Sequence, residues 1–167
     1  MTPPAPPGAW ADLTGASPRW VRTVVYAALV GRLAALPLGL IVGAVWGEAG
    51  FAGFSGLIEA VDLRLILLAV VFAPLVEQLL VLVAVGILHW GLRLPPWPAA
   101  LISAAGCCAL HGLVPASILV FPLFALLGIV QINRARRGSL LAGFGLGVLI
   151  HALANGVAVL SALALGL

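Results

Sequence analysis

Residues 75–82 read LVEQLLVL. They lie near the centre of an apolar run from Leu65 to Trp90 in which Glu77 is the only acid, followed at once by Gln78. Twenty or so apolar residues in succession match the thickness of a bilayer's hydrocarbon core. A carboxylate at the middle of such a helix costs about 2.5–3.5 kcal/mol on insertion scales, so it marks a candidate functional position whose partners must be found. The rest of the chain agrees with the membrane reading. Its 167 residues are 63% hydrophobic and only 8% charged, where an average soluble domain carries roughly 25% charged residues. Mean hydropathy is +1.25. The predicted fold class is an all-α polytopic membrane protein.

Working outward from Glu77, the pattern predicts about five transmembrane helices behind a tail. Residues 1–18 are rich in Pro, Ala and Gly and read as a flexible or polyproline-like tail, with no signal-peptide pattern. Residues 19–167 then form a single transmembrane domain. The first helix is expected over Trp20–Trp46, kinked at Pro37. In Glu48–Arg64, the residues Phe51, Phe54, Ile58 and Val61 recur at helical spacing, which predicts a short interfacial helix. The second membrane helix covers Leu65–Trp90. After a Pro-rich break at Arg93–Pro98, a shorter third runs over Pro98–Leu113, punctuated by Gly112 and Pro115. The fourth covers Ala116–Ile132, a basic loop follows at Arg134–Gly138, and the fifth covers Ser139–Leu160 or beyond.

Charge sets the expected orientation. The tail, Arg19, Arg22, Arg93 and the Arg134/Arg136/Arg137 loop fall on one side, and Glu48, Glu59 and Asp62 on the other against Arg64 alone. The positive-inside rule then places the N-terminus in the cytoplasm, and Trp20, Trp46, Trp90 and Trp97 fall at helix ends as an aromatic belt should. All the basic residues are Arg, which reads as coding bias. The expected location is a bacterial inner membrane, with the lipid bilayer as partner and no nucleic acid. The adjacent Cys107 and Cys108 sit in an apolar segment and argue against a disulfide framework.

His89 reads as an interfacial residue beside Trp90. His111 and His151 lie inside apolar helices. Glu77 is about 13 residues from Trp90, His111 about 13 from Pro98 and His151 about 12 from Ser139, which places each roughly 18–20 Å along its helix. Three ionisable groups on separate helices at one depth predict one polar site. On the last helix Gly143, Gly147, His151 and Asn155 recur every fourth residue, and the GxxxG pair permits close helix approach. Pro74 has no N–H for the Val70 carbonyl, an expected unpaired acceptor one turn before Glu77. A carboxylate with an imidazole can deprotonate water; a second imidazole and an amide can donate to an oxyanion. Glu77, His111 and His151 are equally a possible zinc set with an open fourth position.

These residues resemble a family pattern. Glu77-Gln78-Leu-Leu-Val-Leu82, Cys107-Cys-Ala-Leu-His111 and His151-Ala-Leu-Ala-Asn155 follow the order of the EExxxR, FxxxH and HxxxN/D motifs of the CPBP family, the CAAX-protease, bacteriocin-processing or Abi proteins, which include Rce1-like endopeptidases. The resemblance covers about residues 71–159. It implies an intramembrane endopeptidase of glutamic or metallo type that acts on a membrane-protein or peptide substrate. Glu77 would be the water-activating base assisted by His111. His151 and Asn155 would stabilise the oxyanion, or Glu77, His111 and His151 would hold a divalent metal such as zinc. Gln78, Leu82 and Cys107 replace the family's second Glu, its Arg and its Phe. Arg32, within the first helix, either supplies the missing cation or snorkels to the interface. The replacements leave a second reading open: a catalytically impaired member serving as an assembly factor or subunit of a larger membrane complex.

Overall fold

The structure is a computed structural model that describes residues 8–51 and 62–165. Among the described residues every regular element is helical. α1 is Ala9–Leu13, α2 Trp20–Trp46, α3 Leu63–Gly91, α4 Pro96–Leu110, α5 Phe121–Arg136 and α6 Leu140–Leu165. A 3-10 turn at Gly47–Phe51 follows α2, and another at Pro115–Val120 leads into α5. Four helical stretches are long and apolar enough to cross a membrane, Trp20–Phe51, Leu63–Gly91, Pro115–Arg136 and Leu140–Ser161; α4 is shorter. The protein is therefore an all-α membrane protein. Its outward faces carry exposed Leu33, Leu36, Leu40, Phe72, Val83 and Leu141, the apolar exterior that lipid requires.

The bundle is built around α5. Every residue from Leu123 to Ile132 is buried, so this helix reads as apolar on all sides. Close approach is possible where side chains are smallest. A Cβ at Gly128 would lie 3.0 Å from Ala100 of α4, and one at Gly31 of α2 would lie 2.9 Å from Leu123. Such small-residue contacts let backbones approach where no hydrophobic driving force between helices exists.

α3 begins at an Asp62 cap whose carboxylate accepts from the Leu65 N–H at 2.7 Å. Leu68–Phe72 is π-helical, and the Ala73 N–H donates to the Leu68 carbonyl. A π turn next to a proline is a known way to relieve the clash of its ring with the preceding turn. It also changes which carbonyl the proline orphans. In the five-residue register Pro74 faces Ala69, so the unpaired acceptor is one residue earlier than the expected Val70.

Several boundaries differ from expectation. α4 ends at Leu110 because Gly112 turns with φ +111, a conformation that favours glycine. α5 runs on to Arg136, so Arg134 and Arg136 belong to its last turn and the expected Arg134–Gly138 loop shrinks to the turn at Gly138. Cations at a helix C-terminus are favourable. α6 runs to Leu165, in line with the expected end at Leu160 or beyond. Most of the expected interfacial helix lies outside the described residues; of its ends, Phe51 closes a 3-10 turn and Leu63 already opens α3. Within the expected flexible tail, residues 8–18 carry α1, with Ala11 and Asp12 buried and Trp10 stacked on Trp97 at 5.8 Å. The Asn133 amide also donates to the Thr14 carbonyl at 2.8 Å.

Candidate active site

Glu77 stands midway along α3, on a turn kept helical after the π segment. His111 caps the C-terminus of α4, where Gly112 stops the helix. His151 lies in the middle of α6 and is 3% exposed. The three side chains meet. Glu77 Oε2 is 3.3 Å from His151 Nε2 and 3.6 Å from His111 Nε2. Neither contact has hydrogen-bond geometry; Oε2 and His151 Nδ1 are both buried without a partner. Such loose geometry is common in a site before substrate arrives.

The proton inventory of the Glu77–His111 pair follows from one further contact. His111 Nδ1 lies 2.9 Å from the Cys107 carbonyl, one turn back on α4. A carbonyl only accepts, so Nδ1 carries the proton. The other ring nitrogen of a neutral His111 is then a lone pair facing a carboxylate oxygen. The two are compatible when a further proton lies between them, on either partner. At 3.6 Å the two become an acid–base pair only once the gap between them closes.

Phe124 of α5 holds both imidazoles. Its ring is 5.3 Å from each, in edge-on geometry of 61° to His111 and 88° to His151, the arrangement aromatic quadrupoles favour. Glu77, Leu80, Cys107, Leu110, His111 and Phe124 line a cavity of about 230 Å³. Leu80 and Leu110 are exposed, so its apolar walls reach the lipid-facing surface while its polar floor is Glu77 and His111.

Asn155 does not join this set. Its Oδ1 accepts from Arg32 Nη2 at 2.8 Å, and its Nδ2 donates to the Ala69 carbonyl at 2.8 Å. That carbonyl is the one Pro74 orphans. Arg32 Nε also donates to the Ala154 carbonyl at 2.9 Å. The Asn155 carbonyl oxygen and one of its two amide N–H groups are therefore engaged, which gives it a positioning role: it ties α6 to the π turn that sets the register of Glu77. Arg32 does not snorkel, because its guanidinium is held across the bundle; nor does it pair with Glu77.

Gln78 points away from the cavity. It is 0% exposed, and its Nε2 donates to Gln131 Oε1 at 3.2 Å, while Gln131 Nε2 donates to the Leu140 carbonyl at 3.2 Å. A Cβ at Gly147 would overlap the Gln78 carboxamide, so the GxxxG face of α6 admits a buried glutamine. Cys107 lines the cavity and supplies the carbonyl that orients His111. His89 is remote: its Nδ1 donates to the Leu94 carbonyl at 2.6 Å and it packs edge-on against Trp90.

Among the described residues no group of three His, Cys, Asp or Glu side chains is arranged to hold a metal ion. Sequence reasoning missed Phe124 and Gln131. An aromatic in an apolar helix carries no distinguishing signal, whereas Gln131, an amide in the run GIVQIN, could have been noticed as a buried polar residue needing a partner. No family model, curated protein or solved structure matches the chain.

Proposed function

We propose that the protein is an intramembrane endopeptidase that hydrolyses a peptide bond with water activated by Glu77 and His111. The observation that carries this is the approach of two imidazole nitrogens to one carboxylate oxygen, 3.3 and 3.6 Å away, with Glu77 and His111 lining a cavity in the bundle. A water in that cavity gives its proton to the Glu77–His111 pair as its oxygen bonds to the substrate carbonyl carbon. His151, with the second N–H of the Asn155 amide, stabilises the resulting oxyanion. The carbon–nitrogen bond then breaks and the pair returns the proton to the leaving amine. General acid–base groups of this kind contribute ~10²–10⁴-fold. The likeness of the three motifs to the CPBP pattern favours the same chemistry.

The test compares new peptide termini in membranes of cells carrying wild-type protein, Glu77→Gln or His111→Ala. Termini that vanish in both variants support hydrolysis. Unchanged termini would rule it out.

One observation favours the second reading, a non-catalytic subunit or assembly factor. The position where the resembling family carries a second acid is here Gln78, sealed between α5 and α6. Gentle purification separates the two: a fixed stoichiometry with other membrane proteins and no peptidase activity supports the subunit, and a lone active protein excludes it. For either function we propose a cytoplasmic N-terminus, on the strength of the arginine asymmetry, and a bacterial inner membrane, on the strength of the lysine-free composition.

A further inference from the structure

The cavity beside Glu77 has an open side. The Glu77 and His111 side chains are 23% and 25% exposed. Of the residues that line the cavity with them, Leu80 of α3 and Leu110 of α4 are exposed, while Cys107 and Phe124 are buried. The mouth therefore lies on the seam between α3 and α4, with Phe124 of α5 behind it. The exposed neighbours on the two helices are apolar: Val76, Leu79 and Val83 on α3, and Ile102 on α4. Gly106, one turn from Leu110 on the same face, is also exposed, and a Cβ there would meet no atom within 4 Å. A small residue on a lipid-facing helix lets a second backbone come close.

Depth decides what can reach that mouth. Glu77 is the central residue of the 29-residue stretch Leu63–Gly91, so the mouth opens near the middle of a hydrocarbon core ~30 Å thick. The ester linkages of a phospholipid stay at the boundary of that core, ~15 Å away, and its acyl chains carry no bond to hydrolyse. A loop or tail drawn in from water would bring unpaired backbone N–H and C=O groups into lipid, at a cost of several kcal/mol each. A peptide bond reaches this depth without that cost only within a transmembrane segment of another protein. In a helix its carbonyl is held by the N–H four residues on. It is attacked most readily where the helix is already weak, beside a glycine or a proline.

We propose that the site takes its substrate sideways from the bilayer, through the seam between α3 and α4, and that the substrate is a transmembrane segment cut near the middle of its span at a glycine or proline. This rests on the peptidase reading and narrows it from any membrane protein or peptide to a spanning segment. The segment's backbone lies against α4 at Gly106, and Leu80 and Leu110 flank the bond that is cut.

The test has two arms, and the first reads access with no need for activity. Full-length protein in liposomes is treated with dicyclohexylcarbodiimide, which dissolves in lipid, or with a water-soluble cationic carbodiimide. Both act on a protonated carboxyl, and modification of Glu77 is read by mass spectrometry. Wild type should react with the lipid-soluble reagent and not with the water-soluble one. Leu110→Trp should lose that modification, because the larger ring covers the mouth, whereas Leu141→Trp on the exposed face of α6 should keep it. Circular dichroism reports that each variant is folded; if Leu110→Trp is not, Gly106→Trp, with open space around it, takes its place. In the second arm the protein is reconstituted with membrane proteins from cells that lack it, and the new termini are located. They should fall near the centres of transmembrane segments, beside glycine or proline, and be lost with Leu110→Trp. Equal modification by the two reagents in wild type, or full modification of Leu110→Trp, overturns the proposal. Termini confined to loops and tails overturn it while leaving the peptidase in place. No termini from wild type removes the peptidase reading and the proposal with it.

Discussion

Asn155 is the residue whose partners most change its meaning. Replacing it by alanine leaves the Ala69 carbonyl without a donor inside the bundle. A buried polar group stripped of its partner costs about 1–3 kcal/mol, and hydrogen bonds between membrane helices fall at the low end of such values. Asn155→Ala should therefore lower the thermal midpoint in detergent. The cause can be isolated. Pro74→Ala restores an N–H opposite Ala69, so the double variant should lose less than the sum of the two singles, by ~0.5 kcal/mol or more in a double-mutant cycle. Additive losses would mean that Asn155 does not serve that carbonyl. The sequence marked Asn155 as polar in an apolar helix, but not its partner, because proline alone does not state whether the turn before it is α or π. Glu77, His111 and His151 were legible for a simpler reason: an ionisable side chain in an apolar helix stands out against its background. Phe124, which orients both imidazoles, does not.

At the scale of elements, the contact between α3 and α6 is tighter at Gly147 than at any other glycine among the described residues. Gly147 admits Gln78 with no room for a methyl group. Gly147→Ala should destabilise by about 1–3 kcal/mol through overpacking, whereas Gly145→Ala, with nothing near its missing Cβ, should be neutral or slightly stabilising through helix propensity. Thermal unfolding of the two in the same detergent checks the contrast, and equal effects would count against the close approach. The GxxxG spacing was readable as a packing face. That it packs on a carboxamide was not, since nothing in the sequence says that Gln78, next to Glu77, reaches Gly147 of α6 and Gln131 of α5. The ends of α4 and α5 were misplaced for a related reason. Gly112 and Gly138 stop helices through positive φ, and arginines in α5's last turn look like a loop until the helix dipole is considered.

For the whole molecule, the membrane class was legible from hydropathy alone, because each spanning helix must be apolar over its length. The packing order was not: that α5 is the central helix depends on which apolar faces meet, and every helix here is apolar on most sides. The distribution of arginines predicts sidedness. A cysteine placed at Ser139, in a background with Cys107 and Cys108 replaced by alanine, should react with an impermeant maleimide only from the cytoplasmic side. Labelling from outside intact cells would invert the orientation and reverse the side from which water reaches Glu77.

Hydrolysis at Glu77 is tested most directly on purified protein in liposomes. The reconstituted protein is incubated in ¹⁸O-labelled water with membrane proteins extracted from cells that lack it, and new carboxyl termini are read by mass spectrometry. Wild type should generate ¹⁸O-labelled termini, and Glu77→Gln should reduce them by ~10²-fold or more while remaining folded. Labelled termini formed equally by Glu77→Gln, or none formed by wild type, would contradict the account.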